Sequence, residues 1–466
     1  MKNFSSHFLQ DPNKEIPETR QKLGKEEKKQ EEERARCEWE FNLCTVVSSP
    51  AINGGTVSDT LGVIEFDPSD SFLATGGIAR KIRIYSVKSL FPYEGISKIH
   101  GVTLLDHATA CDYYICTPAK LSSLRWKPRS GGRVLGSGDY DGVVMEYDLE
   151  RRVPVFERDE HGGRRVWSID YSHWDPIVGA SGSDDGTMQM WDPRCGDEGK
   201  CLAAVQPNTT APSSVCCVEF NPFGGALVAV GCADRKVYGY DIRRMADPIF
   251  VFDGHQKAVT YIKFLDFQTI ITSAIDGCLK MWNSENQQII RTYKGHINSR
   301  RFVGLSVWRG GGLLCCGSEN NQVFVYDKRW SEPIWVQGFE PVAAAVGGGG
   351  QGCDRGFVSG VSWRQTGDDR CILVAAGGSD NQRKKLKKIL VMVVVRSLGL
   401  SWRRVLGFED LCEKVVVLDN MTTSADDSTD MVENSSDEDE TGAAFHITIL
   451  RHHSILGRVF FPSITV

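Results

Sequence analysis

The sequence lacks most of the features that mark secreted, membrane-spanning or nucleic-acid-binding proteins. Its 54 Lys and Arg are outnumbered by 60 Asp and Glu, for a net charge of −6, whereas nucleic-acid binders usually carry a basic excess. The longest apolar run, Ile389 to Val395, is too short to span a bilayer. The chain does not start with the basic-then-apolar leader of a secreted protein. We therefore expect no nucleic-acid or membrane partner, and a location in the nucleus and cytoplasm.

Signals for catalysis and metal binding are also missing. Fifteen cysteines are present without a CxxC pair, which predicts reduced, buried thiols. The neighbours Cys216-Cys217 and Cys315-Cys316 would point to opposite faces of a strand, so neither pair can chelate one metal. The sequence has no GxSxG elbow, Walker A loop, HExxH, or GxGxxG after a strand. We therefore predict no catalytic residue, no metal, no cofactor and no enzymatic activity.

What the sequence does contain is one unit that recurs six times and begins a seventh time. Each unit reads as an alternating strand, a turn, a strand of small residues, a turn residue, and a strand that ends in Trp or Tyr six positions later. The seven copies begin at Ile64, Leu124, Ile169, Val218, Ile262, Leu305 and Val361. Length, spacing and the Gly-His pairs before two copies match the WD40 repeat. We predict an all-β fold, a seven-bladed WD40 β-propeller over residues 38–382.

Two copies carry a histidine, a hydroxyl, a turn aspartate and a strand tryptophan at the spacing of a hydrogen-bonded chain across the blade. The two sets are His161, Ser181, Asp185 and Trp191, and His255, Thr272, Asp276 and Trp282. A satisfied buried hydrogen bond is worth roughly 1 kcal/mol net, whereas an orphaned partner costs about 1–3 kcal/mol. These residues are therefore predicted to be structural.

Both ends of the chain depart from the repeat. Residues 1–37 are polar and read as a disordered or helical arm. Trp39 to Val47 is predicted to supply a strand that closes the ring. The seventh unit breaks off after Gln382, which leaves the completeness of its blade open, and residues 383–466 are basic and apolar, then acidic. Either Ile389 to Val395 replaces the missing strand, or the tail comes from an altered transcript; its composition favours the second interpretation.

Two surface features are candidates for binding. The first is a set of cations and aromatic rings at turns on one rim of the propeller: Lys120, Tyr140, Trp167, Arg235, Lys257 and Phe302. Such a surface suits a peptide that presents an acidic residue beside an apolar anchor. The alternative is that Trp167 and Phe302 belong to the core and that the cations are merely solvated.

The second feature is an Asp-x-Arg sequence that follows the third strand in three copies. It comprises Trp191, Asp192 and Arg194, with echoes at Asp241 and Arg243 and at Asp327 and Arg329. One interpretation is a WDxR-type box for the adaptor of cullin-based ubiquitin ligases. The other is that each Asp–Arg pair simply closes the local turn.

Long stretches of the chain resemble one plant family. ARCEWEFNL, GVIEFDPSDSFLATGGIARKIRIY, SGDYDGVVMEYD, RRVWSIDYS, VAVGCADRKVYGYD and GHQKAVTYIKF are similar to the WD40 domain of the repressors of UV-B photomorphogenesis. This family is related to the constitutively photomorphogenic ubiquitin ligase and the suppressors of phytochrome A. The resemblance implies a negative regulator that binds the UV-B photoreceptor, returns it from active monomer to inactive dimer, and competes with the photomorphogenic ligase for the receptor tail.

The resemblance also implies a binding mode. In the related ligase, one propeller face grips a Val-Pro motif preceded by acidic residues, and its pocket positions coincide with the six rim residues given above. Two positions differ: Arg235 stands where the ligase has His, and Ser299 stands where it has an acidic residue. A substrate receptor of a cullin-type ligase, docking through the WDxR box, is the alternative function.

Overall fold

The computed structural model shows seven antiparallel sheets arranged as a seven-bladed β-propeller. It describes residues 38–48, 61–91, 98–99, 102–174, 177–192, 194, 200–339, 356–365, 370–379 and 388–396, all within the compact unit Met1–Gly399. The predicted fold class is confirmed. Short runs of β-branched and aromatic residues form the strands, and Gly142, Gly186 and Gly277 adopt positive φ in three of the turns between second and third strands.

Blades 1 to 6 are four-stranded antiparallel sheets, and blade 7 combines three strands from the end of the propeller with the N-terminal strand. Blade 1 holds β2 Leu61–Phe66, β3 Phe72–Gly77, β4 Lys81–Ser86 and β7 Tyr113–Cys116; blade 2 holds β8 Leu121–Trp126, β9 Val134–Asp139, β10 Val144–Asp148 and β11 Val153–Arg158; blade 3 holds β12 Val166–Tyr171, β13 Gly179–Ser183, β14 Met188–Asp192 and β15 Lys200–Val205. Blade 4 holds β16 Val215–Phe220, β17 Leu227–Cys232, β18 Lys236–Asp241 and β19 Phe250–Asp253; blade 5 holds β20 Val259–Phe264, β21 Thr269–Ala274, β22 Cys278–Asn283 and β23 Ile289–Tyr293; blade 6 holds β24 Leu305–Trp308, β25 Leu313–Cys316, β26 Gln322–Asp327 and β27 Pro333–Gly338. Blade 7 holds β28 Gly356–Trp363, β29 Arg370–Ser379, β30 Lys388–Arg396 and β1 Trp39–Ser48.

The first strands of the blades form a closed ring. β2, β8, β12, β16, β20, β24 and β28 each contact the next in order, and β28 returns to β2. Buried apolar clusters fill the spaces between blades; one joins Trp308 of blade 6 to Trp363 of blade 7. The paired cysteines Cys216-Cys217 and Cys315-Cys316 are buried as predicted, and every cysteine that the structure describes is a free thiol.

The seventh blade is complete, and its third strand comes from the segment that the sequence prediction assigned to the tail. β30 begins six residues after the predicted propeller end at residue 382 and pairs antiparallel with both β29 and β1. The predicted propeller boundary at residue 382 is wrong for Lys388–Arg396, and of the two alternatives the structure matches the one in which Ile389 to Val395 replaces the missing strand. Its apolar run suits a strand with neighbours on both edges, because Ile389, Val391, Met392 and Val394 are all fully buried.

The N-terminal strand closes the ring, as predicted for Trp39 to Val47. An ion-pair cluster holds the start of this strand, because Glu38 accepts from Arg396 at 2.8 Å and from Arg329 of blade 6 at 2.5 Å. The Arg396 guanidinium also lies 5.1 Å from the centre of the Trp39 ring. Three segments far apart in sequence are therefore fastened at one point.

An insertion in blade 1, between β4 and β7, extends blade 7. It contains a 3₁₀ turn Lys88–Leu90, the hairpin β5 Lys98–Ile99 and β6 Val102–Asp106, and the short helix α1 His107–Ala110. β6 pairs parallel with β1, which makes the blade 7 sheet six-stranded. Thr45 donates to the Leu90 carbonyl at 2.7 Å, so the insertion ties blade 1 to the closing strand.

Two predictions about the chain ends lie outside the described residues. These are the polar arm of residues 1–37 and the part of the tail that follows residue 396. Among the residues that the structure describes, no helix is long and apolar enough to cross a membrane.

The predicted hydrogen-bonded chain is complete in blade 5. His255 lies 2.9 Å from Asp276 and 2.7 Å from Thr272, and the Trp282 indole donates to Thr272 at 2.9 Å. All four side chains are structural parts of the blade, linking its second and third strands to the loop that enters it.

In blade 3 the chain is shorter than predicted. His161 lies 2.6 Å from Asp185 and 2.7 Å from Ser181, but the Trp191 indole N–H has no hydrogen-bond partner. The ring packs edge-on against Tyr171 and lies against Gly179, where a side chain would collide with it. The tryptophan of this blade therefore contributes packing without joining the polar chain.

Replacing Asp276 with asparagine is expected to destabilise the propeller in a pH-dependent way. Burial raises the pKa of Asp276, but hydrogen bonds from His255 and from the Gln256 amide outweigh it and hold the pKa below the ordinary value of 3.8. A carboxylate with a lowered folded-state pKa contributes stability above its unfolded value, and this contribution is lost as the pH falls through the folded value. We expect Asp276→Asn to cost about 1–3 kcal/mol at neutral pH.

The measurement is urea unfolding of wild type and variant from neutral pH down to acid. The two unfolding free energies should converge as the pH falls below the ordinary aspartate value. Asp247→Asn, at an exposed loop position, is the control and should leave stability unchanged. A difference between wild type and Asp276→Asn that stays constant across the pH range would contradict this account.

Candidate functional site

A channel runs between the inner strands and encloses a cavity of about 630 Å³. Residues near the start of each inner strand line one mouth, and the turns that follow these strands line the opposite mouth. Tyr140, Trp167 and Phe302 lie at the first mouth, and Pro128, His173 and Gln365 lie towards the second. The channel brings together side chains from all seven blades, and these determine what the centre of the ring can bind.

A network of ion pairs crosses the middle of the channel. Arg125 on β8 contacts Glu65 on β2 at 2.8 Å, Asp170 on β12 at 3.3 Å and Glu219 on β16 at 2.9 Å. Lys263 on β20 contacts the same Glu219 at 2.9 Å. Five neighbouring blades are therefore cross-linked through side chains that are largely removed from solvent.

The network was not predicted, although the sequence contains a signal for it. Each of the five residues directly follows the apolar residue with which its repeat begins. The pairs are Ile64-Glu65, Leu124-Arg125, Ile169-Asp170, Val218-Glu219 and Ile262-Lys263. Since neighbouring side chains on a strand point to opposite faces, a charged residue after a core residue in consecutive inner strands indicates a charged channel.

The carboxylates in this network titrate differently from one another. Burial and the neighbouring Glu219 raise the pKa of Asp170, and Arg125 and Lys263 offset this only in part. Burial also raises the pKa of Glu219, but Lys263 and Arg125 outweigh it and lower the pKa overall. Burial favours the protonated form of both acids. The positive charge of Arg125 acts in the opposite direction and favours the carboxylate form.

Replacing Arg125 with methionine is expected to cost about 3–5 kcal/mol of unfolding free energy, because the buried carboxylates of Asp170 and Glu219 and the partly buried Glu65 lose their common partner. The measurement is chemical denaturation at neutral pH. Arg133→Met is the matched control, since the Arg133 side chain is 45% exposed and pairs with the exposed Glu150 as well as with Asp148, and exposed ion pairs contribute about 0–1 kcal/mol. Equal effects of the two substitutions would count against a supporting role for the network.

The predicted rim aromatics meet at the first channel mouth. The rings of Trp167 and Phe302 stack with centroids 4.3 Å apart and planes within 2° of parallel, although they come from blade 3 and from the loop before blade 6. The Tyr261 ring contacts Phe302 edge-on at 6.1 Å. Trp167 and Phe302 are half-buried, so they form a surface of the channel mouth and are not part of the interblade core.

Two charged residues that sequence reasoning missed position this mouth. The Arg165 guanidinium lies 3.9 Å from the Tyr140 ring centre and 4.5 Å from that of Trp167. The Trp167 indole donates to Asp184 at 2.5 Å. The spacing of Arg165, directly before β12, and Trp167, near its start, was the available signal, because a cation two residues before an aromatic ring can cover that ring.

The predicted cations lie on exposed turns of the same face. The Tyr140 amide donates to the Lys120 carbonyl at 2.9 Å, which joins the entry of β8 to the turn after β9. Lys257 lies in the loop that enters the first strand of blade 5, and Arg235 lies in the turn between the second and third strands of blade 4; both are exposed. These three residues surround the aromatic mouth and are not among the residues that line the cavity itself.

Arg235 adopts an unusual backbone conformation. Its φ is +79°, and it occupies the turn position where Gly142, Gly186 and Gly277 serve in other blades. A side chain at positive φ carries a steric cost of about 1–2 kcal/mol. Arg80 and Asn321 hold the same turn position in blades 1 and 6, also at positive φ, so this conformation is a requirement of the turn.

Glu319 anchors the loop that places Phe302 at the channel mouth. It accepts hydrogen bonds from the backbone amides of Ser299, Arg300 and Arg301 at 2.7–3.0 Å, and from the Ser299 hydroxyl at 2.7 Å. Ser299, the position where the related ligase carries an acid, therefore anchors this loop. An acidic side chain at this position would face the Glu319 carboxylate.

In each Asp-x-Arg sequence the arginine and the aspartate form a bidentate ion pair with each other. Arg194 donates to both carboxylate oxygens of Asp192, Arg243 does the same to Asp241, and Arg329 to Asp327. Trp191 of the predicted docking box is fully buried and cannot touch a partner on the surface. Arg329 also binds Glu38 at the ring closure, whereas the side chains of Arg194 and Arg243 are 64% and 77% exposed.

A closed seven-bladed ring with an aromatic and cationic channel mouth defines a WD40 β-propeller of the interaction-scaffold type. Residues 176–327 match the family model for the N-terminal domain of nucleolar protein 10-like proteins, a β-propeller, and residues 152–192 match the WD domain, G-beta repeat. The chain is 62% identical over 325 residues to the WD repeat-containing protein RUP2 of Arabidopsis thaliana, covering 69% of this chain and 86% of that protein. It is 57% identical over 347 residues to RUP1 of the same plant, covering 74% and 84%.

The chain therefore belongs to the RUP family of WD-repeat proteins, which confirms the resemblance seen in the sequence. It is also 34% identical over 271 residues to the Arabidopsis E3 ubiquitin-protein ligase COP1, but that match covers only 37% of the ligase. A comparable similarity, 34% over 353 residues, links it to the Arabidopsis protein SUPPRESSOR OF PHYA-105 1.

Proposed function

We propose that the channel mouth binds the Val-Pro tail of the UV-B photoreceptor and that this binding promotes the return of the receptor to its inactive dimer. The observation that carries the proposal is the stacked pair of Trp167 and Phe302, covered by Arg165 and surrounded by exposed cations. The protein acts as a scaffold without catalysing a reaction, and it competes with the photomorphogenic ubiquitin ligase for the same tail.

The chemistry of a Val-Pro motif fits this surface. Proline fixes the backbone in an extended form and lacks an N–H, so little conformational entropy is lost and no buried donor is left unsatisfied. Its ring and the valine methyl groups can pack on the flat aromatic faces. Acidic residues before the motif meet Lys120, Arg235 and Lys257, which gives charge-assisted pairing and faster association.

The test is isothermal titration calorimetry of the full chain with receptor-tail peptides. One peptide carries Val-Pro, the second carries Ala-Ala in its place, and the third keeps Val-Pro but has its upstream acids changed to amides. We expect measurable binding for the first, none for the second, and weaker, less salt-dependent binding for the third. Equal binding of the first two peptides would overturn the proposal.

Re-dimerisation is measured separately. Purified receptor is converted to monomer by UV-B, and the recovery of dimer is followed by size-exclusion chromatography with and without the chain. We expect faster recovery with the wild-type chain and no acceleration by a binding-deficient variant. Peptide binding without any acceleration would restrict the protein to tail capture.

A second candidate function is the substrate receptor of a cullin-type ubiquitin ligase. The exposed Arg194 and Arg243 favour it, because each guanidinium is held in a fixed plane by its own aspartate while most of the side chain is accessible at the surface. Pull-down with the ligase adaptor should recover wild type and lose Arg194→Ala. Arg133→Ala, a surface arginine outside these boxes, is the control, and equal recovery of all three proteins would reject docking through this box.

A further inference from the structure

The face opposite the channel mouth carries three exposed aromatic rings in equivalent positions. Trp174, Phe223 and Phe267, which we call the aromatic arc, each lie five residues after the apolar residue that begins the repeat, in the turn after the first strand of blades 3, 4 and 5. Their exposures are 49%, 40% and 57%. The equivalent positions of the other blades hold Ser69, Arg129, Gly310 and Thr366.

The arc is continuous through the turn of blade 4. A side chain at Gly224 would lie 3.3 Å from the Trp174 ring, and one at Gly225 would lie 4.0 Å from the Phe267 ring. Both glycines have positive φ, and because they carry no side chain, the turn leaves the two neighbouring rings exposed. Contiguous exposed apolar surface on a folded domain marks an interaction site more often than scattered single residues do.

A pocket of about 230 Å³ opens beside Trp174, between blades 3 and 4. Its floor is formed by the buried core residues Val178, Met190 and Phe220, and its rim by Trp174, Leu202 and Ile242. The residues equivalent to Ile242 in blades 1 and 2, Val87 and Leu149, are buried, whereas Ile242 lines an open pocket. Small-molecule sites usually exceed about 300 Å³, so this volume suits one large side chain of a partner.

One cationic side chain, that of Arg243, is among the described residues that line the pocket, and its ion pair with Asp241 balances part of its charge. No aspartate or glutamate is among these lining residues. Asp241 holds the guanidinium through Nε and one Nη2 hydrogen bond, which leaves further N–H groups directed away from that pair. Burial lowers the pKa of the other titratable lining group, His173.

We propose that the aromatic arc and this pocket form a second docking surface, which takes one large aliphatic or aromatic side chain from an acidic, amphipathic segment of a partner protein. The anchor fills the pocket, its flanking apolar residues lie on the arc, and a carboxylate pairs with Arg243. The surface is separate from the proposed receptor-binding mouth, because Trp167 and Trp174 stand at opposite ends of β12. The ring can therefore hold two partners at once.

The test begins with a random linear-peptide display selection on the immobilised full-length chain. Selected peptides are synthesised and measured by fluorescence anisotropy against wild type and single variants. We expect peptides that combine a large apolar residue with Asp or Glu, and at least a tenfold loss of affinity in Trp174→Ala and in Arg243→Ala. Changing the peptide carboxylate to an amide should weaken binding to wild type but not to Arg243→Ala.

The control variants distinguish binding at this face from binding at the channel mouth, and the effect of Arg243 from that of its neighbour. Arg244→Ala removes a neighbouring exposed arginine that does not line the pocket, and Trp167→Ala removes the aromatic anchor of the opposite face; both should bind these peptides as wild type does. Leu202→Glu, at the exposed rim, should abolish binding of acidic peptides without touching the core. The proposal is overturned if no selected peptide depends on Trp174, if the dependent peptides are basic, or if Trp167→Ala removes their binding.

Discussion

Replacing Trp167 with alanine is expected to abolish binding of a Val-Pro peptide, with a loss of about 2–4 kcal/mol, or roughly 30- to 1,000-fold in affinity. The indole supplies the largest flat apolar surface at the channel mouth. The substitution also removes the stacking partner of Phe302 and the aromatic support of Arg165. Calorimetry with the receptor-tail peptide is the measurement.

Trp174→Ala provides the matched control for this experiment. It removes a tryptophan from the turn that follows the same strand, on the opposite face of the ring, and should leave Val-Pro binding unchanged. Trp167→Phe keeps a ring at the mouth but loses the hydrogen bond to Asp184, and we expect intermediate affinity. Thermal melting confirms that each variant is folded. Wild-type affinity in a folded Trp167→Ala protein would show that the peptide binds elsewhere.

Deleting residues 388–396 is expected to unfold the protein at physiological temperature. The deletion removes the strand that bridges β29 and β1, and with it five side chains that are almost completely buried: Ile389, Leu390, Val391, Met392 and Val394. Truncating a single buried Leu, Ile or Met already costs about 2–5 kcal/mol, whereas a whole domain is stable by only about 5–15 kcal/mol. Circular dichroism and thermal denaturation measure the effect.

Two point variants test the same strand without shortening the chain. Met392→Asp buries an unpaired charge and should cost several kcal/mol. Val395→Asp, at a partly exposed position of the same strand, should cost much less. A deletion protein that melts like wild type would show that the ring closes without β30.

Within each repeat, the sequence predicted most of the structure correctly. The seven units, the turn residues and the strand-ending Trp or Tyr are local features, and hydrogen bonding within a meander translates them directly into blades. The complete polar chain of His255, Thr272, Asp276 and Trp282 also follows from this spacing. The same pattern in blade 3 predicted a hydrogen bond from Trp191 that the structure does not contain. The packing of Tyr171 and Gly179 around the indole determines where its N–H lies.

The candidate site was predicted as a set of residue types on one rim, but not as a geometry. Lys120, Lys257 and Arg235 are found on exposed turns as expected. The stacking of Trp167 on Phe302 joins residues 135 positions apart, and only ring closure determines that distance. Arg165, Asp184 and Glu319 position the mouth through such contacts, and of the three only Arg165 has a sequence signal, its spacing from Trp167.

The sequence by itself determined that the chain is a repeat protein, how many blades it has, where each turn falls and which family it belongs to, because these are properties of short segments and their period. The tertiary structure decided which segment completes the seventh blade, how Arg125 shares three carboxylates, and what meets at the channel mouth. Residues 388–396 illustrate the reason, because an apolar run indicates that a segment is buried but not which strands it pairs with. The free edges of β29 and β1, distant in sequence, determine where it is buried.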